Sequence, residues 1–358
     1  FIALISWSFL DPTKNLWLVI ATGLTIAVSS ATQDITIDAL RIEQINEGES
    51  NLMAAGAAVS VVGWWTGYKI GGVISLISAD FFQNKGFENY WQISFLLISL
   101  IIIFCSLFLL LIPENKSEKK ILIQKQADRK ILDKLGETNR LKIIFVWISG
   151  TIINPLASFF KKNTLKVALG ILGFIFLFKI GEAFLGRMSI IFYKEIGFSK
   201  TDIAFYSKGL GWLTTIAFTL LGGLFTIRIG LIKAMFVSGI VMASTNLMFS
   251  VLAWAGNSEI IFAIAVLLDD LAAAFATVAF VAFISVLVDR TYTATQYALL
   301  ASIGTAGRTL FASSSGALVD WLNGDWGLFF VITALMVLPS LGCLYIIKNK
   351  IKLNEKNV

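Results

Sequence analysis

Long apolar runs broken by short polar stretches dominate the chain. The runs cover 1–10, 15–37, 51–79, 91–112, 164–192, 202–227, 231–254, 259–288, 296–319 and 327–347. A membrane-crossing helix needs roughly 20 mostly apolar residues. Backbone polar groups in lipid must find partners within their own segment, so runs of this kind predict helices. The pattern predicts ten of them. The first is incomplete, because Phe1 already lies inside an apolar run, and the reading expects further helix before it.

One long polar stretch, 113–140, interrupts the pattern. The segment after it, LKIIFVWISGTIINPLASFFKK, is apolar but broken by Gly150, Asn154 and Pro155. It predicts a helix lying on the membrane face with Lys161 and Lys162 at the headgroups. Reading it as another span would invert the distribution of basic residues downstream. That distribution is one-sided. One set of loops holds Arg41, the stretch Lys116 to Lys142, Lys161, Lys162, Lys166, Arg228, Lys233, Arg290 and the tail Lys348 to Lys356. The opposite loops hold Lys14, Lys85, Lys194 and Lys200. Basic loops stay in the cytoplasm, so the first set and the C-terminus are expected there. The expected organisation is an incomplete first half-bundle over 1–112, a cytoplasmic linker over 113–163, a six-helix half-bundle over 164–347 and a cytoplasmic tail over 348–358. The halves echo one another: Asp38 precedes MAAGAAVSVVGWW, Asp289 precedes YALLASIGTAGRT, and Gly63 falls opposite Gly307.

Composition agrees with this reading. Charged residues make up 15% of the chain, against about a quarter in soluble domains. The net charge of +6 resides in the loops, so it speaks for orientation and not for nucleic acid. Cys105 and Cys343 lie in separate apolar runs and suggest neither a disulfide nor a metal site. The sequence contains no histidine, which removes the usual triads and the usual metal ligand. No phosphate-cradling GxxxxGK[ST] run is present. These features point away from an enzyme and from a cofactor, and toward a transporter driven by an ion or solute gradient. A co-transported proton would then ride on a carboxylate.

Charges within spans carry the candidate chemistry, because each costs about 2.5–3.5 kcal/mol at mid-bilayer and such residues face a cavity or a partner. Lys179 and Glu182 stand three apart in FLFKIGEAFLG, on one helix face. They form either a self-neutralising pair or a site for solute charge and a proton. Asp269 and Asp270 are adjacent, so one can face a cavity while the other packs elsewhere. Adjacent like charges disfavour each other, which makes one of them a candidate proton carrier. Arg308 lies mid-span; its guanidinium reads a carboxylate bidentately, whether of Asp270 or of a solute. Lys69 either snorkels to the interface or faces a cavity. Gln33 and Asp34 sit deeper in their span than Asp38, which can pair with Arg41. Arg228 closes GGLFTIRIG between two helices, a setting for gating. Trp64, Trp65 and Trp212 are candidates for stacking on sugar faces.

Several strings resemble AmpG-type muropeptide permeases of the major facilitator superfamily. SATQDITIDALRIE at 30–43 resembles their fourth-helix signature, and FKIGEAF at 178–184 resembles their K-[IL]-G-[DE]-[AS]-F. TATQYALL at 293–300 is similar to SATQFALL, and GTAGR at 304–308 to S-x-x-G-R. The resemblance runs along nearly the whole chain. It implies an all-α integral membrane protein with a two-half helical bundle, about ten of its twelve helices falling in this sequence. It also implies proton-linked import of anhydro-muropeptides, anionic sugar-peptides, across a bacterial inner membrane by a monomer. Carried over by position, it points to Gln33, Asp34, Asp38, Lys179, Glu182, Lys208 and Arg308. The wider relatives include acetyl-coenzyme A transporters. The chain departs from the pattern where the relatives carry G-Y-R, here Gly63, Trp64 and Trp65, with Lys69 one turn later standing in for the arginine. It departs again where they show E-N and this chain has Asp269 and Asp270.

Overall fold

A computed structural model describes residues 1–11, 13–113, 148–199 and 211–351, with isolated positions 122, 123, 125, 126, 129, 146, 202, 203 and 206. The helices are α1 (Ile2–Ser8), α2 (Leu16–Glu43), α3 (Ser50–Asn84), α4 (Tyr90–Leu109), α5 (Asn154–Lys162), α6 (Leu165–Leu177), α7 (Ile180–Glu195), α8 (Gly211–Ile229), α9 (Leu231–Ala255), α10 (Glu259–Leu287), α11 (Thr293–Ala312), α12 (Ser315–Trp321), α13 (Trp326–Leu335) and α14 (Leu338–Ile347). Each of the ten apolar runs holds at least one of them. Among the described residues, six helical stretches are long and apolar enough to cross a membrane: Leu16–Glu43, Tyr90–Leu109, Leu165–Glu195, Leu231–Ala255, Glu259–Leu287 and Trp326–Ile347.

Three runs that read as single helices are interrupted, two of them for a visible local reason. The run 164–192 breaks at Phe178 and Lys179, where Lys179 takes φ −103° and ψ 16°. The run 296–319 breaks at a serine cluster. Ser313, Ser314 and Ser315 each turn their hydroxyl back onto the carbonyl three residues earlier, at 2.6–2.7 Å, and such bonds compete with the helix ladder. The run 327–347 breaks before Pro339, which sits in the first turn of α14, where its missing N–H costs nothing.

The chain divides into two compact units, residues 1–41 with 63–116 and residues 42–62 with 117–358. In the first, α1 packs on α4, and the Trp7 ring lies where a side chain on Gly23 would be. In the second, α10 is the central strut, packed against α8 and α9. Helix α7 lies between α11 and α13, and α6 between α11 and α14. Phenylalanines fill these contacts: Phe174 meets Phe283 edge-on at 5.2 Å, and Phe178 stacks on Phe280 at 5.6 Å. A second aromatic cluster joins Phe192, Tyr193, Phe249, Phe262 and Phe330.

Polar bonds tie the turn after α10 to α5. Asp289 accepts from the Ser158 hydroxyl and from the Thr291 N–H at 2.8 Å. The buried Gln296 side chain accepts from the Asp289 N–H at 2.7 Å and donates to the Pro155 carbonyl at 2.8 Å. Arg290 donates to the carbonyl of Ile42, the last turn of α2, where orphan carbonyls favour a cation.

Two outcomes test this packing. A Cβ on Gly307 would overlap the backbone carbonyl of Phe176, and neither backbone can yield without parting α11 from α6. Gly307→Ala should therefore lower stability by about 1–3 kcal/mol, read as a reduced melting temperature in detergent; an unchanged value would show the close approach to be dispensable. For Asp289, burial raises the carboxyl, but the bonds from Ser158 and Thr291 and the Lys162 charge outweigh it and hold the group below its usual value. A depressed folded value stabilises above the ordinary carboxylate range and loses that contribution as pH falls through the folded value. Melting temperature should thus fall more steeply between about pH 6 and about pH 3 in the native protein than in Asp289→Asn. Parallel curves would remove Asp289 from the joint.

Candidate functional site

The break between α6 and α7 puts Lys179 at the N-terminal cap of α7, with Glu182 in its first turn. A helix N-terminus carries partial positive charge and favours a carboxylate there. Lys179 is buried, 6% exposed, and its amino group has two acceptors. It makes an ion pair with Glu182 Oε2 at 2.9 Å and a bond to Oε1 at 3.3 Å. It also donates to the Thr277 hydroxyl of α10 at 2.7 Å. Thr277 sends its own proton to the Ala273 carbonyl at 2.6 Å, so toward the lysine it can only accept.

Arg308 of α11 brings a second cation. Its guanidinium stands 3.9 Å from Glu182 Oε1, so one carboxylate serves two positive groups. The two differ in setting, since the Arg308 side chain is 48% exposed and that of Lys179 7%. Asp269 of α10 lies within electrostatic reach of both Lys179 and Glu182. The Thr245 hydroxyl of α9 donates to it at 3.3 Å. Asp270 is its close electrostatic neighbour.

Close backbone approaches hold the group together. A Cβ on Gly181 would come within 2.6 Å of the Thr333 carbonyl and 3.2 Å of the Asn246 amide. Asn246, fully buried, donates to the Thr333 hydroxyl at 3.1 Å. This joint seats the first turn of α7 against α9 and α13. Small residues at such contacts are what let membrane helices pack without side chains between them.

The second unit therefore brings together Lys179, Glu182, Arg308 and Asp269, four of the residues that stand out in the sequence. Thr277, Thr245 and Asn246 do not stand out there. Asn246 had a usable signal, an amide in the middle of an apolar span; the threonines had none. Arg228 is exposed in the last turn of α8, before Gly230 at φ +83°. Lys208 and the side chain of Trp212 lie outside the described residues, as does most of the stretch Lys116 to Lys142.

The first unit keeps its candidates in separate places along two helices. Gln33 lines a groove of about 550 Å³ with Ser29, Thr32, Thr36 and Leu109. Asp38 pairs with Arg41 at 3.0 Å, at the end of α2. On α3, Trp64 stacks on Tyr68 at 5.7 Å with the rings nearly parallel, and Trp65 meets Trp64 edge-on at 4.9 Å. Lys69 lies over the Trp65 ring at 5.4 Å.

Comparison with known proteins gives the family. No family model matches the chain. AmpG 4 of Rickettsia conorii is 30% identical over 350 residues, covering 98% of this chain and 77% of that protein. The anhydromuropeptide permease of Escherichia coli K12 is 28% identical over 357 residues, covering 99% of this chain and 65% of the permease. Among solved structures, that of the human organic anion transporter MFSD10 superposes with a TM-score of 0.56 at 15% identity, over 96% of this chain and 75% of that one. That likeness establishes a shared fold. Identity of this extent along almost the whole chain, on a major facilitator fold, shows that this multi-pass membrane protein belongs to the AmpG family of transporters.

Proposed function

We propose that the protein imports anhydro-muropeptides from the periplasm to the cytoplasm across a bacterial inner membrane. Uptake is coupled to protons, by alternating access of two half-bundles around a midplane site. The observation that carries this reading is the group at the helix break, where Lys179 and Arg308 share Glu182. Discontinuous helices whose N-terminal ends meet charged groups are a recurrent transporter device. The anhydromuropeptide permease among the relatives bears a name that fits such a cargo.

In this reading Lys179 and Arg308 receive solute carboxylates. Gln33, Lys69, Trp64 and Trp65 contact the solute on the other half. Glu182 carries the proton, with Asp270, Asp269 and Asp34 as the next candidates. Asp38, Arg41, Lys208 and Arg228 lock helix ends in one conformation. Residues 1–112 contribute to one half-bundle, 113–163 form the linker and 164–347 the other half, with the tail in the cytoplasm and the protein working as a monomer.

Charge accounting supports the coupling. Lys179 and Arg308 stand against Glu182, and Asp269 with its neighbour Asp270 adds negative charge from α10. Protonating Glu182 makes the group one unit more positive, which a solute carboxylate can offset. Proton and anion then enter together, each removing the cost of the other.

Three measurements in energised membrane vesicles test the reading, two of them with labelled anhydro-disaccharide peptide. Lys179→Ala should abolish uptake while the protein reaches the membrane in normal amounts; normal uptake would reduce the pair to a structural bridge. Glu182→Gln mimics the protonated carboxyl. It should lose accumulation against a gradient while solute exchange survives, and undiminished accumulation would dismiss Glu182 as the carrier. Uptake of a labelled acyl-coenzyme A with no uptake of the muropeptide would move the cargo to another anion class.

A further inference from the structure

The Lys179 amino group has a second acceptor that plays no part in the charge balance. Thr277 stands 98 residues away in sequence, on α10, and holds the amine at 2.7 Å. Its proton is committed to the Ala273 carbonyl at 2.6 Å, so its lone pairs face the lysine. The other neighbours of the amine are charged: Glu182 on α7, Arg308 on α11 and Asp269 on α10. Glu182 is the one that must change partner for the proposed cycle to turn, because it sits between two cations. When it turns toward Arg308 or takes a proton, the buried amine loses its only ion-pair partner within 4 Å among the described residues. A buried charge without an acceptor is costly.

We propose that Thr277 is a positioning residue: its hydroxyl oxygen fixes the Lys179 amine in the site while Glu182 exchanges between Lys179, Arg308 and a proton. This rests on the transport reading above. Thr277 keeps the cation aimed at the place a solute carboxylate enters. Without it the amine would swing after Glu182 and present no fixed charge. The role needs an oxygen that accepts, and a residue whose methyl merely fills space cannot supply it.

The test compares Thr277→Val, Thr277→Ala and Thr277→Ser in the intact transporter, with uptake normalised to folded protein. A hydrogen bond to a charged group governs affinity here, so Val and Ala should each raise KM for the muropeptide about tenfold or more. Maximal rate should stay within about twofold, and Ser should restore KM. The alanine variant guards against poor accommodation of valine. An unchanged KM overturns the proposal. So does a serine variant as impaired as valine, or a fall in maximal rate alone, which marks a plain packing role. A second arm needs no solute. In a Glu182→Gln background Thr277 becomes the main remaining anchor of Lys179, so Thr277→Val should lower the melting temperature by more there than in the native protein. Additive losses would count against Thr277 whatever is transported. Absence of muropeptide uptake by the native protein would instead defeat the transport reading, leaving the thermal comparison to judge Thr277.

Discussion

The burial of the Lys179 amine is the constraint around which the second unit is organised. A lone ammonium in low dielectric is expensive, and burying even a paired ion demands good geometry and further hydrogen bonds. The structure meets these demands from three directions. Glu182 supplies the counter-charge on the same helix at 2.9 Å, Thr277 supplies a neutral acceptor from α10, and Asp269 adds negative potential from the same helix. A hydrophobic residue at position 179 would satisfy a purely structural bundle with none of this apparatus. Such an arrangement is understandable where the charge is used.

Geometry at this point depends on where backbones can touch. Arg308 reaches Glu182 because α11 lies against the end of α6, and that contact exists because Gly307 presents no side chain to Phe176, while Gly304 leaves room for the Phe280 ring of α10. The first turn of α7 is likewise seated by Gly181 against the Thr333 carbonyl. The glycines next to the charged residues thus set the distances between the charges. The echo of Gly63 and Gly307 in the two halves does not extend to packing among the described residues, where a Cβ on Gly63 would meet nothing within 4 Å.

The sequence made the helices legible because apolar runs of this length have few other uses. It also exposed Lys179, Glu182, Asp269 and Arg308, because charges within such runs stand out against their surroundings. It did not show the break at Phe178 and Lys179, which contain neither proline nor glycine to announce it. The kink at Ser313 to Ser315 could have been anticipated from three consecutive hydroxyls. Thr277 could not have been, since a threonine bonding its own helix carbonyl is ordinary and its tie to Lys179 spans 98 residues. The residues that stand out in the first unit remain spread along α2 and α3. Their chemistry was legible as residue types, and the contacts described among them, Asp38 with Arg41 and Lys69 over Trp65, run within a single helix.

The two cations of the site are unlike in ways that suit different tasks. A lysine amine is a compact point charge that accepts several directions of approach, and here it is buried and bonded to the Thr277 oxygen at 2.7 Å. An arginine guanidinium keeps its charge in any surroundings and can grip a carboxylate with two parallel bonds. Arg308 is half exposed and its contact with Glu182 is long, 3.9 Å, beyond a proper hydrogen bond. In the proposed cycle Arg308 releases Glu182 at little cost and offers its fork to an incoming carboxylate, while Lys179 stays in place to hold the field. In that proposed cycle such a group of fixed cation, mobile carboxylate and available cation responds to an anion at one side and to a proton at the other, and the carboxylate between them is the element that links the two.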